Sequence, residues 1–380
     1  MVKVLSLFSG IGAFEKALKR IGVNYELVNY CEIDKYASKS YAAIHNVDES
    51  MNLGDITKVD TNMLPNDIDL ITYGFPCQDI SIAGKQKGLL NEDGTKTRSG
   101  LFFEALRIIE ETQPKVAIAE NVKNLTGRKF KEQFEIVLNS LEQIGYNNYW
   151  EVLNAKDYGI PQNRERVIIV SIRKDVDDGN FKFPNGFPLN LRLIDLLDEE
   201  VDDKYYVKSK RIDIIQKNLG DVFKDNFIIG SSQKNAFVGD ETICPSLTSA
   251  MGSGGGQTPM IRTNEKIITK PVLVGGIGER NFGSQYRQGN RIYDSNAIAV
   301  TLCASPVGNT GGNSYLYQLD NLKIRKLTPK ECFRLMGFDD NDYENAAKVN
   351  SNTQLYKQSG NSIVVNVLEA IFEKLKKYWN

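Results

Sequence analysis

Short apolar runs alternate with helix-length amphipathic stretches over about the first 175 residues, a rhythm that belongs to a doubly wound, mostly parallel sheet with helices on both faces. The runs at residues 2–7, 26–31, 70–73, 116–119, 150–153 and 167–172 predict strands. Residues 13–21, 101–111 and 130–144 carry apolar side chains at three- and four-residue steps and predict helices. From Pro184 to Leu322 that rhythm stops, and Gly, Asn, Ser and Thr become frequent, as in 251–256 and 308–313. That texture predicts a smaller, loop-rich, mostly β unit. Two of its segments, 243–248 and 298–303, look alike, which falls short of a repeat architecture. Ordered patterning then returns. Thr328, Pro329 and Glu331 read as a capped helix start, and residues 363–378 carry one apolar stripe that needs a surface to cover. The expected division is therefore residues 1–187 as a first domain, 188–322 as an insertion, and 323–380 returning to complete the first.

Five widely spaced cysteines (Cys31, Cys77, Cys244, Cys303, Cys332), without a Cys-x-x-Cys pair, argue against a disulfide framework or structural zinc. His45 is the sole histidine, which disfavours a histidine metal site or a Ser-His-Asp triad. No apolar run approaches the roughly 20 residues of a membrane span, and the start reads as a strand rather than a secretory signal. A cytoplasmic protein without a metal is expected. A formal net charge of -1 decides nothing about nucleic acid, because a local basic face would suffice.

Cys77 stands in Gly74-Phe75-Pro76-Cys77-Gln78, directly after the third predicted strand. The carboxyl edge of a parallel sheet is where such folds bind ligands, and a thiol there is a candidate nucleophile. Taken alone, an inert buried cysteine is the plainer reading. Phe8-Ser9-Gly10-Ile11-Gly12 follows the first strand, and its glycines allow a cofactor close to the backbone at a helix start. Glu15 occupies the third glycine position of a dinucleotide fingerprint, where a carboxylate would repel a pyrophosphate. A nucleoside cofactor without phosphates fits better. Glu32, ending the second strand, suits ribose hydroxyls, and Asp55 suits an adenine amino group. Glu120-Asn121-Val122 brings a carboxylate to the edge that holds Cys77. Arg164 and Arg166, in Gln162-Asn163-Arg164-Glu165-Arg166, point the same way if that segment is extended; surface ion pairs are the plainer reading.

The order Phe-x-Gly-x-Gly, Gly-Phe-Pro-Cys-Gln, Glu-Asn-Val, Gln-x-Arg-x-Arg and then Gly360-Asn361-Ser362, expected to open the last helix, resembles the cytosine-C5 DNA methyltransferase family of bacteria and phages. The resemblance spans nearly the whole chain outside the middle unit. It implies a Rossmann-like S-adenosylmethionine-dependent fold with an inserted target recognition domain. It implies Cys77 as nucleophile, Glu120 as base-binding carboxylate, and Arg164 and Arg166 as cytosine- and phosphate-side arginines. Phe8, Gly10, Gly12, Glu32, Ile33, Asp55, Ile56, Pro76 and Asn361 would contact the cofactor, with Ile33 standing where relatives often carry a tryptophan.

The chemistry follows from the base. Cytosine C5 is a poor nucleophile until a thiolate adds to C6, and the base must leave the duplex stack to be reached. Residues 78–100 would form a loop closing over it, with Ser81, Lys85, Lys87 and Arg98 as candidate DNA contacts. Arg280, Arg287, Gln288 and Arg291 suit guanine edges and phosphates, and Thr301-Leu302 matches the pair that follows such a loop in the family. Duplex DNA is the expected partner, with the chain a monomer and any restriction endonuclease a separate protein. A tRNA methyltransferase and a catalytically silent DNA-binding paralogue are the competing readings.

Overall fold

The structure is a computed structural model that describes residues 1–76, 89, 97, 99–205, 270–276, 291–302, 316–318 and 324–379. Among these residues a six-stranded sheet runs in the order β2-β1-β3-β4-β6-β5. Its strands are β1 (Val2–Leu7), β2 (Tyr25–Cys31), β3 (Leu70–Tyr73), β4 (Val116–Val122), β5 (Tyr146–Asn154) and β6 (Glu165–Arg173). Pairing is parallel from β2 through β4, and β6 runs antiparallel to both of its neighbours. The expected doubly wound α/β fold is present, with all six predicted strands in place. Helices α1 (Ala13–Arg20), α3 (Phe102–Thr112) and α4 (Lys131–Gln143) occupy the three predicted helical stretches.

Side chains alternate along β1 as strand geometry requires. Val2 and Val4 join a core shared with α1 and the C-terminal helices, while Leu5 and Leu7 join a second core with α3 and α4. Each face of the sheet is thus sealed, which explains why its strands read as continuous apolar runs.

Helix α2 (Lys35–His45) was not expected from the apolar pattern. Asp34 caps it by accepting from the amides of Tyr36 and Ala37, and Asn46 closes it in the left-handed region. The C-terminal segment contributes α5 (Pro329–Arg334), α6 (Asp340–Val349), α7 (Asn352–Asn361) and α8 (Val365–Leu375). The predicted cap at Thr328 is a full capping box with Glu331, a device whose loss costs about 1 kcal/mol. Helix α8 lies against α1, with Phe14 and Phe372 6.3 Å apart between ring centroids. Residue 361 departs from expectation. It ends α7 rather than opening the last helix, because Ser362 and Val364 adopt extended backbone between α7 and α8.

A second sheet, β10-β9-β8-β7, comprises β7 (Leu273–Gly276), β8 (Arg291–Asp294), β9 (Leu316–Gln318) and β10 (Ile324–Lys326). Its last strand, β10, lies wholly beyond residue 322, the boundary expected for the middle unit. Outside both sheets, an isolated parallel bridge between Gln162 and Ala299 joins the segment before β6 to the segment after β8.

Candidate active site

The sheet order reverses direction at β1, so the crevice beyond the carboxyl ends of β1 and β3 is the topological switch point. Register brings four chain segments there together. Leu7 pairs with Cys31 and Tyr73, and Tyr73 pairs with Ala119. Phe8, Glu32 and Gly74 therefore leave their strands at the level of Glu120, which is still within β4 and paired with β6.

The loop after β1 has the backbone that its glycines predict. Phe8, Gly10 and Gly12 all have positive φ, at 51°, 57° and 80°. A Cβ on Gly10 would meet open space, whereas one on Gly12 would overlap the His45 ring. Gly12 is thus required by packing, and Gly10 leaves room against the backbone. Glu32 accepts from the Gly10 amide at 2.9 Å through Oε2 and from the Asp34 amide at 2.8 Å through Oε1. Each carboxylate oxygen keeps capacity for a further donor. Burial raises the Glu32 carboxyl above its usual range, opposed by those two amides. Asn52 braces the same turn, accepting from the Glu32 and Gly54 amides at 2.9 Å. Ile33 beside it is 75% exposed. Asp55 receives the Thr57 amide and hydroxyl on Oδ1, which hold its carboxyl below the usual range, and Ile56 is buried. An open cradle at Gly10, an acid with spare acceptor capacity and an exposed apolar side chain fit a nucleoside cofactor. Asn361 is exposed at the end of α7.

Glu15 does not line this cradle. It is wholly buried on α1, nearest the hydroxyls of Ser6 and Tyr41 without a proper hydrogen bond to either, and burial raises its carboxyl. The expectation that it would repel a pyrophosphate therefore fails on geometry.

At the neighbouring strand ends, Phe75 is buried against Tyr73 and Phe102, and its carbonyl accepts from Asn121 Nδ2 at 3.1 Å. Asn121 thus ties the segment leading to Pro76 onto β4. Gly74 lies beside the Glu120 carboxylate: a Cβ built on it would stand in ordinary contact, 3.7 Å from Glu120 Oε2. Glu120 Oε1 pairs with Arg166 Nε at 2.8 Å. Burial raises the Glu120 carboxyl above its usual range, and Arg166, then Arg164, oppose the shift. Arg166 faces Val122 across the antiparallel ladder, so its diagonal neighbour on the same face is Glu120. Arg164 is 3% exposed and engages backbone carbonyls of Leu302, Gly360 and Ser362.

Cys77, Ser81, Lys85, Lys87, Arg98, Arg280, Arg287 and Gln288 lie outside the described residues. Arg291, expected to face DNA, is instead 3% exposed on β8. Thr301 hydrogen-bonds through its hydroxyl to the Asn163 carbonyl. Of the described cysteines, Cys31 and Cys332 are buried, and burial pushes the Cys31 thiol up to about 12 and Cys332 well above its usual value. Neither is suited to act as a thiolate. No group of three metal-ligating side chains occurs among the described residues.

Sequence reasoning passed over Asn121, Asn52, Gln162 and His45 as site builders. Asn121 and Gln162 stood inside the quoted motifs, and His45 was weighed only as a metal or triad residue. For Asn52 the sequence carried no signal.

The model of the family described as C-5 cytosine-specific DNA methylase matches residues 2–377. The chain is 35% identical to the orphan methyltransferase M.SPRI of Bacillus phage SPR, over 98% of this chain and 97% of that protein. It is 36% identical to the type II methyltransferase M.HhaI of Haemophilus parahaemolyticus, over 97% and 93%. Among solved structures, the S. pombe Dnmt2 methyltransferase superposes with TM-score 0.62 at 19% identity, covering 99% of this chain and 98% of that one. An Entamoeba histolytica methyltransferase gives 0.64 at 17%, over the same shares.

Proposed function

The chain belongs to the C-5 cytosine-specific DNA methylases, and from that membership we propose how its residues divide the work. It is a DNA (cytosine-5)-methyltransferase. The observation that carries the reading of the site is the convergence of the Phe8 loop, Glu32, the Gly74–Pro76 turn and the Glu120–Arg166 pair on one sheet edge.

S-adenosylmethionine, when bound, supplies an electrophilic methyl group to C5. Gly10 leaves the backbone open for it, Gly12 lets the loop that presents it pack on His45, Glu32 receives the ribose hydroxyls, and Ile33 offers its exposed face to the adenine. Asp55 and the Ile56 backbone read the adenine edge, while Phe8, Pro76 and Asn361 complete the cradle. Cys77 adds as thiolate to C6 of a flipped cytosine, and the electron pair displaced from the C5–C6 bond makes C5 nucleophilic. Glu120, whose carboxyl burial raises above its usual range, shares a proton with ring N3 and accepts from the exocyclic amine. Arg166 orients that carboxyl through Nε. After C5 has taken the methyl group, loss of the C5 proton to solvent expels the thiolate and restores the ring.

The middle unit, residues 188–322, is the proposed target recognition domain, and 323–380 completes the catalytic domain. Ser81, Lys85, Arg98, Gln288 and Thr301 are the proposed DNA-side residues. Arg291, already buried, is withdrawn from that set. The protein works as a monomer on duplex DNA inside a bacterial cell, with any restriction endonuclease a separate protein. No described helix is long and apolar enough to cross a membrane.

Bisulfite sequencing of DNA from cells expressing the chain tests the substrate and the site together. Protected cytosines at one short recurrent sequence are expected. Unprotected DNA, with methyl label entering tRNA alone, would overturn the assignment of duplex DNA.

A further inference from the structure

Arg164 stands two residues from Arg166, yet its guanidinium is differently engaged. Nη1 donates to the Leu302 carbonyl at 2.9 Å, and Nη2 donates to the carbonyls of Gly360 at 3.1 Å and Ser362 at 2.6 Å. These acceptors lie 138, 196 and 198 residues away along the chain. Residues around it reinforce the same seam. Gln162, wholly buried, donates to the Leu335 carbonyl at 2.8 Å and accepts from the Leu302 amide at 3.0 Å. The Asn163 amide donates to the Ala299 carbonyl at 2.9 Å, and the Asn163 carbonyl receives the Thr301 hydroxyl. One short span, 162–166, thus touches the Thr301-Leu302 segment, the turn that flanks Asn361 and, through Arg166, the Glu120 carboxyl.

A buried guanidinium is costly unless its donors are satisfied, and its planar fork can hold several carbonyls in one fixed arrangement where a lysine ammonium cannot. We propose that Arg164 is a positioning residue, not a base-contacting one. It couples the DNA-side segment 301–302 and the cofactor-side turn 360–362 to the Glu120–Arg166 pair, so that methyl donor and target base are presented to the acid in register. This rests on the site reading above.

Arg164→Lys keeps the charge and loses the fork. Steady-state transfer of tritiated methyl to unmethylated phage genomic DNA, calorimetric titration with S-adenosylhomocysteine, and adduct formation on 5-fluorocytosine-substituted duplex would be measured on the intact protein. The coupling role predicts that kcat falls on the order of 10²-fold, as small misplacements of reacting groups cause. It also predicts that the dissociation constant of S-adenosylhomocysteine rises about tenfold, the scale of one lost charge-assisted hydrogen bond. Folded Arg164→Lys with wild-type kcat and cofactor affinity would overturn the proposal. So would loss of the adduct with cofactor affinity untouched, since that pattern marks a base contact. If Arg164→Lys does not fold, Thr301→Val removes the adjoining hydrogen bond and leaves Arg164 in place. A joint rise in DNA KM and in that dissociation constant then supports the coupling, and a change in neither overturns it. Wild-type protein that transfers no methyl to DNA would sink the functional reading instead, while the calorimetric arm would still judge Arg164.

Discussion

Glu120 owes its chemistry to its place at the end of β4, where burial raises its carboxyl and Arg166 holds one oxygen at 2.8 Å. Because the folded carboxyl sits above its ordinary value, the proton that can be donated to a cytosine ring nitrogen persists to higher pH. It is lost as pH rises through that raised value. Glu120→Gln keeps a hydrogen-bonding group but cannot titrate. It is expected to lower kcat/KM by about 10²-fold, the low end of what a positioned acid contributes, and to abolish the part of the alkaline decline that Glu120 causes. A full pH–rate profile of both proteins checks this. At this scale the sequence was a fair guide to which residues matter and a poor one to what they touch. Arg164 and Arg166 share a motif and an alternation, yet one binds carbonyls from distant segments and the other a carboxylate. Glu15 followed the glycine loop in sequence, but β1 turns Ser6 toward α1 and Glu15 folds inward beside it.

The loop from β1 into α1 is held by an element that apolar periodicity did not reveal. Helix α2 carries Tyr41 stacked on Tyr30 at 4.0 Å and His45, whose Nε2 lies 3.1 Å from the Ile11 carbonyl. Its apolar stripe is diluted by Ser and Lys; the usable signals were Asp34 at its start and Asn46 at its end. That hydrogen bond requires a proton on Nε2, which one neutral tautomer carries and the cation carries too. Burial, aided by Lys16 and Lys19, lowers its pKa to about 4, against the backbone carbonyls that favour the cation. The folded value lies below the unfolded one of 6.5, so this contribution to stability is complete above 6.5 and is lost as pH falls toward 4. Thermal unfolding of the wild type should therefore move to lower temperature between those limits by more than that of His45→Asn. Equal shifts in the two proteins would remove His45 from the account. The same element-level reasoning explains Asn361. A single apolar stripe reads alike whether a helix begins at 361 or 365, and only the extended backbone at Ser362 and Val364 separates the two.

Across the whole molecule, the site is assembled from pieces that the sequence keeps far apart, which is why motif order was legible and mutual contact was not. The doubly wound topology could be anticipated from the alternation of strands and helices, because parallel strands with one connection hand leave few topologies. The seam joining 161–164 to 299–302, and both to the turn at 360–362, leaves no periodic trace, since it consists of side-chain-to-carbonyl bonds and one isolated bridge. The central claim is that these pieces serve one covalent step, addition of Cys77 to cytosine C6 followed by methylation at C5. The most direct measurement incubates the protein with S-adenosylmethionine and duplex DNA bearing 5-fluorocytosine, whose C5 cannot release a proton, and looks for a denaturant-stable protein–DNA adduct. The account predicts an adduct that requires the cofactor, carries the transferred methyl group and disappears in Cys77→Ser. No adduct from a wild-type protein that methylates ordinary DNA, or an adduct that survives Cys77→Ser, would contradict it.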